Sequence, residues 1–550
     1  MTILNSIFKS FGGYDFVEIE LRGEIPEEEK KGLLPFLGGD KTLTVGNVEI
    51  ILATVEGLDS IRGVVITIGD LGIGPGRANS LRRRLRGLRK KGKSVFIYLE
   101  SGGNIEYLIA SAGDYIFVPP WAMLNLTGLN AEVTFFKDTL DKIGIEAELK
   151  GFGEYKSAAE TFTRSSMSDP HREMIDSIMG DLEAQLEDYI SEGRGIEKNE
   201  VKRIIDRGPF VSQSALDAGL IDGVIYPSEI EEKLFEVAGC KVRTINAYRF
   251  LRVLNLKNKL KSFLGVLTGR GALIAVVADS GIVTLGESRG GGGMKTMGSI
   301  SVIKLLDEAS KNRNVKAIVL RILTPGGSGV ASDLVRKKVE SISEKTPVVV
   351  SMSDVAASGG YMIALGAATI VADPMSLTGS IGVVSGKFNL KGLYDRLGVK
   401  KEGMSYGRHS GMFSLSKGFS EEEEKKLEDI MKFYYDGFVK TVSDGRGMDM
   451  EEALKASKGR VWTGRQAKEL GLADELGGTW DAVNIASGKA GLTYGDVSGV
   501  KFYSEDRGFQ LSSLFKTSSN LEVLERSLLS LISQGRERIL AMMPYKIDIR

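Results

Sequence analysis

The sequence predicts an α/β protein in which one fold occurs twice in tandem. Three observations carry that prediction: a self-match at a nearly constant offset, short β-branched runs alternating with helix-like stretches, and a length of 550 residues that excludes one small domain. The self-match is clearest where YLIASAGDYIFVPP (Tyr107 to Pro120) lines up with YMIALGAATIVADP (Tyr361 to Pro374), an offset of 254 residues. Identities fall at Tyr107/Tyr361, Ile109/Ile363, Ala110/Ala364, Ile116/Ile370 and Pro120/Pro374. The same offset pairs Val65 with Val319 and Gly144 with Gly398. Further along, an offset of 252 pairs Gly193-Arg194-Gly195 with Gly445-Arg446-Gly447 and Gly219-Leu220 with Gly471-Leu472.

Within the first copy, Val64–Ile68, Val95–Leu99 and Ile116–Val118 are the expected strands. In the second they are Ile274–Ala278, Ala317–Ile322, Val348–Ser351 and Thr369–Ala372. Their continuous apolar character, broken by helical stretches such as Arg77–Lys91 and Ala331–Ser343, predicts parallel sheets covered by helices. Two long charged helices are expected toward the repeat ends, Pro170–Ile190 and Ser420–Val442, opening at cap-like Asp169 and Ser420. The predicted organisation is a first repeat over 1–243, a connector over 244–270, a second repeat over 271–500, and an extension over 501–550 belonging to neither copy.

Composition narrows the chemistry. With 72 basic and 72 acidic residues the formal charge is zero, so no global field draws the chain to nucleic acid. Cys240 is the single cysteine, which excludes an intramolecular disulfide framework, and the two histidines, His171 and His409, leave little for a metal centre or a histidine base. No cofactor is expected. The start, Met1 to Gly13, lacks the pattern of a secretory signal, and Val355–Ala372 carries too many small and polar residues for a good membrane span, reading instead as a buried helix followed by a buried strand. Tyr248–Arg270 alternates basic residues with leucines, which fits either a membrane-surface helix or a connector packed on its own protein.

Reactive groups show where the copies differ. Ser358, in AASGGYM, faces Asn104 of the first copy, and Lys156, in GEYKSA, faces Ser410 of the second. Ser358 lies among alanines and glycines at an expected helix start, where a substrate backbone can approach its hydroxyl; the motif equally fits a serine N-cap. Gly326-Gly327 follows an apolar strand and offers unhindered amides for an oxyanion, or else forms a plain turn. Lys156 has small and apolar neighbours, so burial would lower its pKa and make it a base; the alternative is pairing with Glu154 or Glu160. Neither histidine sits at a reactive divergence, so a Ser-His-Asp triad is not expected. Gly290–Gly293 with Lys295 and Thr296 lacks the glycine that a phosphate loop places before its lysine, Met294 standing there, and reads as a surface loop.

Taken together, GEYKSAAETFTR, VLRILTPGGS, SMSDVAASGGYMIA and LTGSIGV resemble, in this order, the motifs of the long-form signal peptide peptidase A (protease IV) family. That resemblance spans nearly the whole chain and implies a tandem duplication of a ClpP/crotonase-like domain. It implies a serine–lysine endopeptidase in which Ser358 is the nucleophile, Lys156 the general base, Ser380 a residue orienting the lysine, and Gly326, Gly327 and Gly359 the oxyanion and substrate-binding glycines. It further implies hydrophobic peptide substrates such as cleaved signal peptides, a homotetramer, and association with the bacterial cell membrane, although no N-terminal anchor is visible; a cytoplasmic location is the alternative. Peripheral membrane contact would then fall to the Tyr248–Arg270 connector or to Leu521–Met543. Two other readings compete: a crotonase-type acyl-CoA enzyme, which needs a catalytic carboxylate that the TPGGSG turn lacks, and a non-catalytic scaffold, which has no use for complementary Ser358 and Lys156.

Overall fold

The computed structural model describes residues 13–28, 43–256, 272–290, 295–492, 497–504 and 539–543. Each half is built on a parallel sheet. In the first, the strand order is Thr244–Asn246, Phe16–Gly23, Gly63–Leu71, Ser94–Leu99, Tyr115–Val118 and Gly223–Val224. The second repeats it with Val497–Tyr503, Ala272–Ser280, Val315–Thr324, Val348–Ala357, Thr369–Ala372 and Glu475–Leu476. The central strands, Ser94–Leu99 in the first sheet and Ala272–Ser280, Val315–Thr324, Val348–Ala357 and Thr369–Ala372 in the second, are buried on both faces over most of their length, which is why they read as apolar runs; Phe16–Gly23, by contrast, alternates buried and exposed residues.

The duplication extends to individual hydrogen bonds. Tyr107 Oη donates to Leu220 O at 2.7 Å, and its counterpart Tyr361 Oη to Leu472 O at 2.9 Å. Arg194 pairs with Asp222 at 2.8 Å and Arg446 with Asp474 at 2.6 Å, and each aspartate also accepts the amide of a strand residue, Ile116 or Ile370. Both long helices form, as Asp169–Arg194 and Glu421–Arg446. The second has a capping box between Ser420 and Glu423, four glutamates in its first turn, and Gly447 at φ 63° to end it. The first is capped by Ser168, not Asp169: the Ser168 hydroxyl accepts from the His171 amide, and Asp169 is the first helical residue.

Segments expected to be ambiguous resolve locally. Val355–Ala357 finishes the Val348–Ala357 strand, the helix is Gly359–Ala364 and the next strand Thr369–Ala372. Of the connector, residues 247–256 are helical with Ala247 and Phe250 buried in the first-half core; 257–270 lie outside the described residues. Of Leu521–Met543 only 539–543 is described, and Ile539–Met542 is a strand lying between Gly326–Ser328 and Val383–Asn389. Residues 1–12 and 291–294 also lie outside the described residues. No described helix is long and apolar enough to cross a membrane.

The halves are joined by more than a linker. Ala357, Met375, Leu377 and Val461 of the second half pack into the first-half core. Buried Arg321 holds Glu27 at 2.8 Å, and Arg77 holds Asp354 at 2.5 Å, ion pairs whose partners come from opposite halves. Removing one member of such a buried pair costs about 3–5 kcal/mol, because the other charge is stranded. Most directly, the first half donates a strand to the second: Glu146–Phe152 runs antiparallel to Val383–Asn389 with all seven residues in register, from Glu146/Asn389 to Phe152/Val383.

Candidate active site

The donated strand is what delivers the lysine. After Phe152 the chain turns at Gly153, whose φ of 113° excludes a side chain in practice, and the Lys156 amide donates back to Gly153 O at 3.0 Å. Lys156 is thereby pulled under the second half and is 4% exposed. Ser358 reaches the same point from the opposite side, directly after the Val348–Ala357 strand, with φ 53° and ψ −109°. A non-glycine residue in that region is strained, and here it is held by its own amide, which donates to Gly379 O at 2.7 Å, and by its carbonyl, which accepts from Met362 at 2.9 Å.

Lys156 Nζ lies 2.8 Å from Ser358 Oγ, 2.9 Å from Ser380 O and 3.0 Å from Ser380 Oγ. A neutral amine has two N–H donors and one lone pair. Two donations to Ser380 leave the lone pair for the Ser358 hydroxyl proton, so three contacts account for the whole amine. Burial pushes the lysine pKa well below its ordinary value, and no carboxylate opposes this. Glu154 is paired with Lys458, and Glu160 with Ser168 and His171, so the pairing alternative for Lys156 does not hold. Nor does Ser358 cap its helix: it occupies the N-cap position without a side-chain bond to the following amides.

The register of the central strands sets the glycines beside the serine. Thr324 is paired with Ala356, so Gly326 and Gly327 begin two residues past the point level with Ala356, as Ser358 does. Gly326 (φ 101°) donates its amide to Thr324 Oγ1 at 3.1 Å, and Gly327 (φ 152°) lies against Val283 so closely that a β-carbon would fall 2.2 Å from Val283 O. All three expected glycines, Gly326, Gly327 and Gly359, are buried, and Gly359 directly follows Ser358. Ser380, at φ 52°, follows the Leu377–Gly379 strand and is fully buried.

The first half retains the frame of this site without its chemistry. Asn104 stands where Ser358 does and donates to Gly128 O at 2.9 Å, while Ser358 Oγ lies 3.4 Å from O of the equivalent Gly382. Ser410, the counterpart of Lys156, is exposed. His171 is buried against Glu160 at 3.0 Å, and His409 is exposed near Glu422; neither contacts Ser358. Lys295 bonds Glu28. Sequence reasoning missed the loop Ser457–Arg460, which reaches the lysine from the second half; its one local signal is Gly459, with φ 80°.

A family model described as peptidase family S49 matches residues 87–241 and 340–493. The chain is 33% identical over 441 residues to the chloroplastic serine protease SPPA of Arabidopsis thaliana, covering 78% of this chain and 64% of that protein. It is 31% identical over 443 residues to Protease 4 of Salmonella typhi, covering 79% of this chain and 70% of that protein. The chain thus spans about two thirds of the length of these relatives. Among solved structures, a membrane-bound stomatin-specific protease in complex with a substrate peptide matches 48% of this chain and 99% of its own, at 15% identity and a TM-score of 0.27.

Proposed function

The chain belongs to peptidase family S49, and on that premise we propose that it is a serine endopeptidase working through Ser358 and Lys156. The observation that carries this reading is the 2.8 Å approach of Lys156 Nζ to Ser358 Oγ at a site where burial favours the neutral amine. Lys156 takes the hydroxyl proton as Ser358 Oγ attacks the peptide carbonyl, and returns it to the leaving amine. Ser380 holds the amine through its carbonyl and hydroxyl, so that the lone pair stays directed at the serine. The amides of Gly327 and Gly359 receive the oxyanion, with Gly326 shaping the turn that presents them. Water then hydrolyses the acyl-enzyme by the same proton route in reverse.

Extended apolar peptides are the proposed substrates, cleaved signal peptides among them. In support, the chain's own Ile539–Met542 lies antiparallel along Gly326–Ser328, with Met543 donating to Pro325 O at 2.7 Å, so this edge accepts a strand of apolar sequence by main-chain pairing. Location at a bacterial cell membrane, as a surface contact, belongs to the same proposal and follows from that substrate class.

A head-to-tail homo-oligomer, closing as a tetramer, completes the reading. Within the chain, the Asp169–Arg194 helix docks on the second half, where Asp181 accepts from Thr463 Oγ1 and from Arg465, both at 2.6 Å. At the offset of 252, the counterparts of Asp181 and Thr463 are Phe433 and Val211, which are 75% and 60% exposed. Trp121 and Met123, equivalent to the buried Met375 and Leu377, are exposed too. A second copy that places its Glu421–Arg446 helix on the Phe210–Val211 region would cover these apolar residues as the chain covers their counterparts.

Labelling with a fluorophosphonate tests the chemistry. Ser358 is expected to carry the label, and Lys156→Ala to abolish both labelling and peptide turnover with the circular dichroism spectrum retained. Unchanged peptidase activity in Ser358→Ala would overturn the assignment.

A further inference from the structure

We propose that Lys458, Gly459 and Arg460 form a clamp of positioning residues that fixes Lys156 for its role, an inference that rests on the serine–lysine reading above. The clamp joins the Met450–Ala456 helix to the Val461–Thr463 strand. Its three consecutive residues bond, one after another, to the segment that carries Lys156 and to the Ser380–Ile381 segment that holds the lysine amine. Lys458 O accepts the Tyr155 amide at 2.8 Å, next to the lysine. The Gly459 amide donates to Ile381 O at 2.8 Å, and Arg460 O accepts the Ser380 amide at 2.7 Å, on the segment that receives the lysine amine.

Gly459 admits no side chain. A β-carbon built on it would lie 2.6 Å from both the amide nitrogen and the β-carbon of Lys156. Two further glycines pack into the same space: a β-carbon on Gly382 would lie 3.1 Å from Lys156 Cδ and 3.1 Å from Gly459 Cα, and one on Gly153 would lie 2.7 Å from the carbonyl carbon of Lys458. Gly459 and Gly382 therefore pack directly on the lysine, from its backbone to Cδ, and Gly153 closes behind them against Lys458, so that three glycine backbones form the collar. This close packing adds to the burial that depresses the lysine pKa and limits the arc through which Nζ can swing.

The clamp is itself held in a demanding conformation. Lys458 has φ 55° and Gly459 φ 80°. The Lys458 amide donates to Tyr435 Oη at 3.3 Å, its ammonium pairs with Glu154 at 3.2 Å, and the Arg460 guanidinium sits over the rings of Tyr155 (4.7 Å) and Trp462 (4.6 Å) while pairing with Glu173 at 2.6 Å. Glu154, Tyr155 and Glu173 all come from the first half, so the clamp binds across the junction. Divergence between the copies points the same way. At the offset of 252 that pairs Val211 with Thr463, Gly459 is matched by Arg207, whereas Gly153 and Gly382 are matched by glycines, Gly407 and Gly128, at 254. Of the three collar glycines, Gly459 alone lacks a glycine counterpart in the other copy.

Gly459→Ala tests this, with the rate of fluorophosphonate acylation and the kcat and KM of peptide hydrolysis read from pH 6 to 10. A displacement near 1 Å of a reacting group costs about 100-fold in rate, so kcat and acylation are expected to fall about that much with KM within about twofold of the parent. Water admitted to the collar is expected to move the rising limb of the pH profile to higher pH, a change that simple loss of stability would not produce. Gly447→Ala is the control, since Gly447 has a similar φ of 63° but open space around it; it should lower the melting temperature and leave kcat and the pH limb alone. Should Gly459→Ala not fold, Arg460→Gln is read by the same profile. Parent-like kcat and an unmoved pH limb in the folded variant overturn the clamp while leaving the peptidase reading intact; a parent chain inert to the fluorophosphonate would instead overturn the peptidase reading.

Discussion

Replacing Lys156 by methionine keeps the length of the side chain and removes the amine, and it should make the protein inactive and more stable at once. In the fold the lysine is buried beside two serines and a carbonyl, and burial alone pushes its pKa well below 10.5. In the unfolded chain it keeps its ordinary value. Between those two values the unfolded chain binds one proton that the fold lacks, so stability rises with pH by about 1.4 kcal/mol per unit and is lost as pH falls toward the depressed value. Methionine has no such slope. The stability advantage of Lys156→Met over the parent should therefore shrink by about 2 kcal/mol between pH 8 and pH 9.5. Guanidinium unfolding of both proteins, followed by circular dichroism at three pH values in this range, measures the difference, with slopes common to both cancelling. Peptide turnover should fall by about 10²–10⁴, the usual contribution of a general base. Identical pH slopes in the two proteins would mean that the buried lysine keeps its proton in the fold, and a charged lysine cannot accept one from Ser358.

Asp373→Asn should flatten a second pH dependence: burial pushes this carboxyl up to about 7 despite the Asn79 amide at 2.9 Å, so the fold holds an extra proton between the unfolded value of 3.8 and about 7, and stability falls as pH rises through that window. The asparagine variant should gain on the order of 1–3 kcal/mol at pH 8 and little at pH 4, by thermal or denaturant unfolding. Asn104→Ser in a Ser358→Ala background should stay inert to fluorophosphonate, because the residue matching the lysine there is Ser410, which is exposed. Val211→Asp and Phe433→Asp should each split the oligomer in light scattering while shifting the melting temperature by less than about 2 °C, a surface-substitution effect.

The repeated sheet was legible because a strand buried on both faces must be apolar throughout, and because the registers around Tyr107/Tyr361 and Gly219/Gly471 survive in hydrogen bonds that both copies still make. Ser358 and Lys156 were legible as differences between copies. Their meeting was not. It depends on Glu146–Phe152 pairing with Val383–Asn389, and nothing within either segment specifies a partner more than two hundred residues away. Gly459 shows the same limit: a lone glycine in SKGR has many uses, and only the nearness of the Lys156 backbone selects one. The cap at Ser168 was missed for a smaller reason, two neighbouring residues both able to accept an amide proton. The strand Ile539–Met542 lies in a stretch that matches neither copy, so no internal comparison could place it.

The donated strand also governs when the molecule can first act. On a ribosome, Lys156 is made early, but its partners Ser358 and Ser380 and the clamp ending at Arg460 come later, the last of them 304 residues on (460 − 156). At ~5–20 residues per second, that interval is roughly 15–60 s. Until Ser358 is made the emerging chain carries a base with nothing to activate, and until Arg460 is made the pair lacks the clamp, so the site is incomplete until synthesis of the second repeat is well advanced.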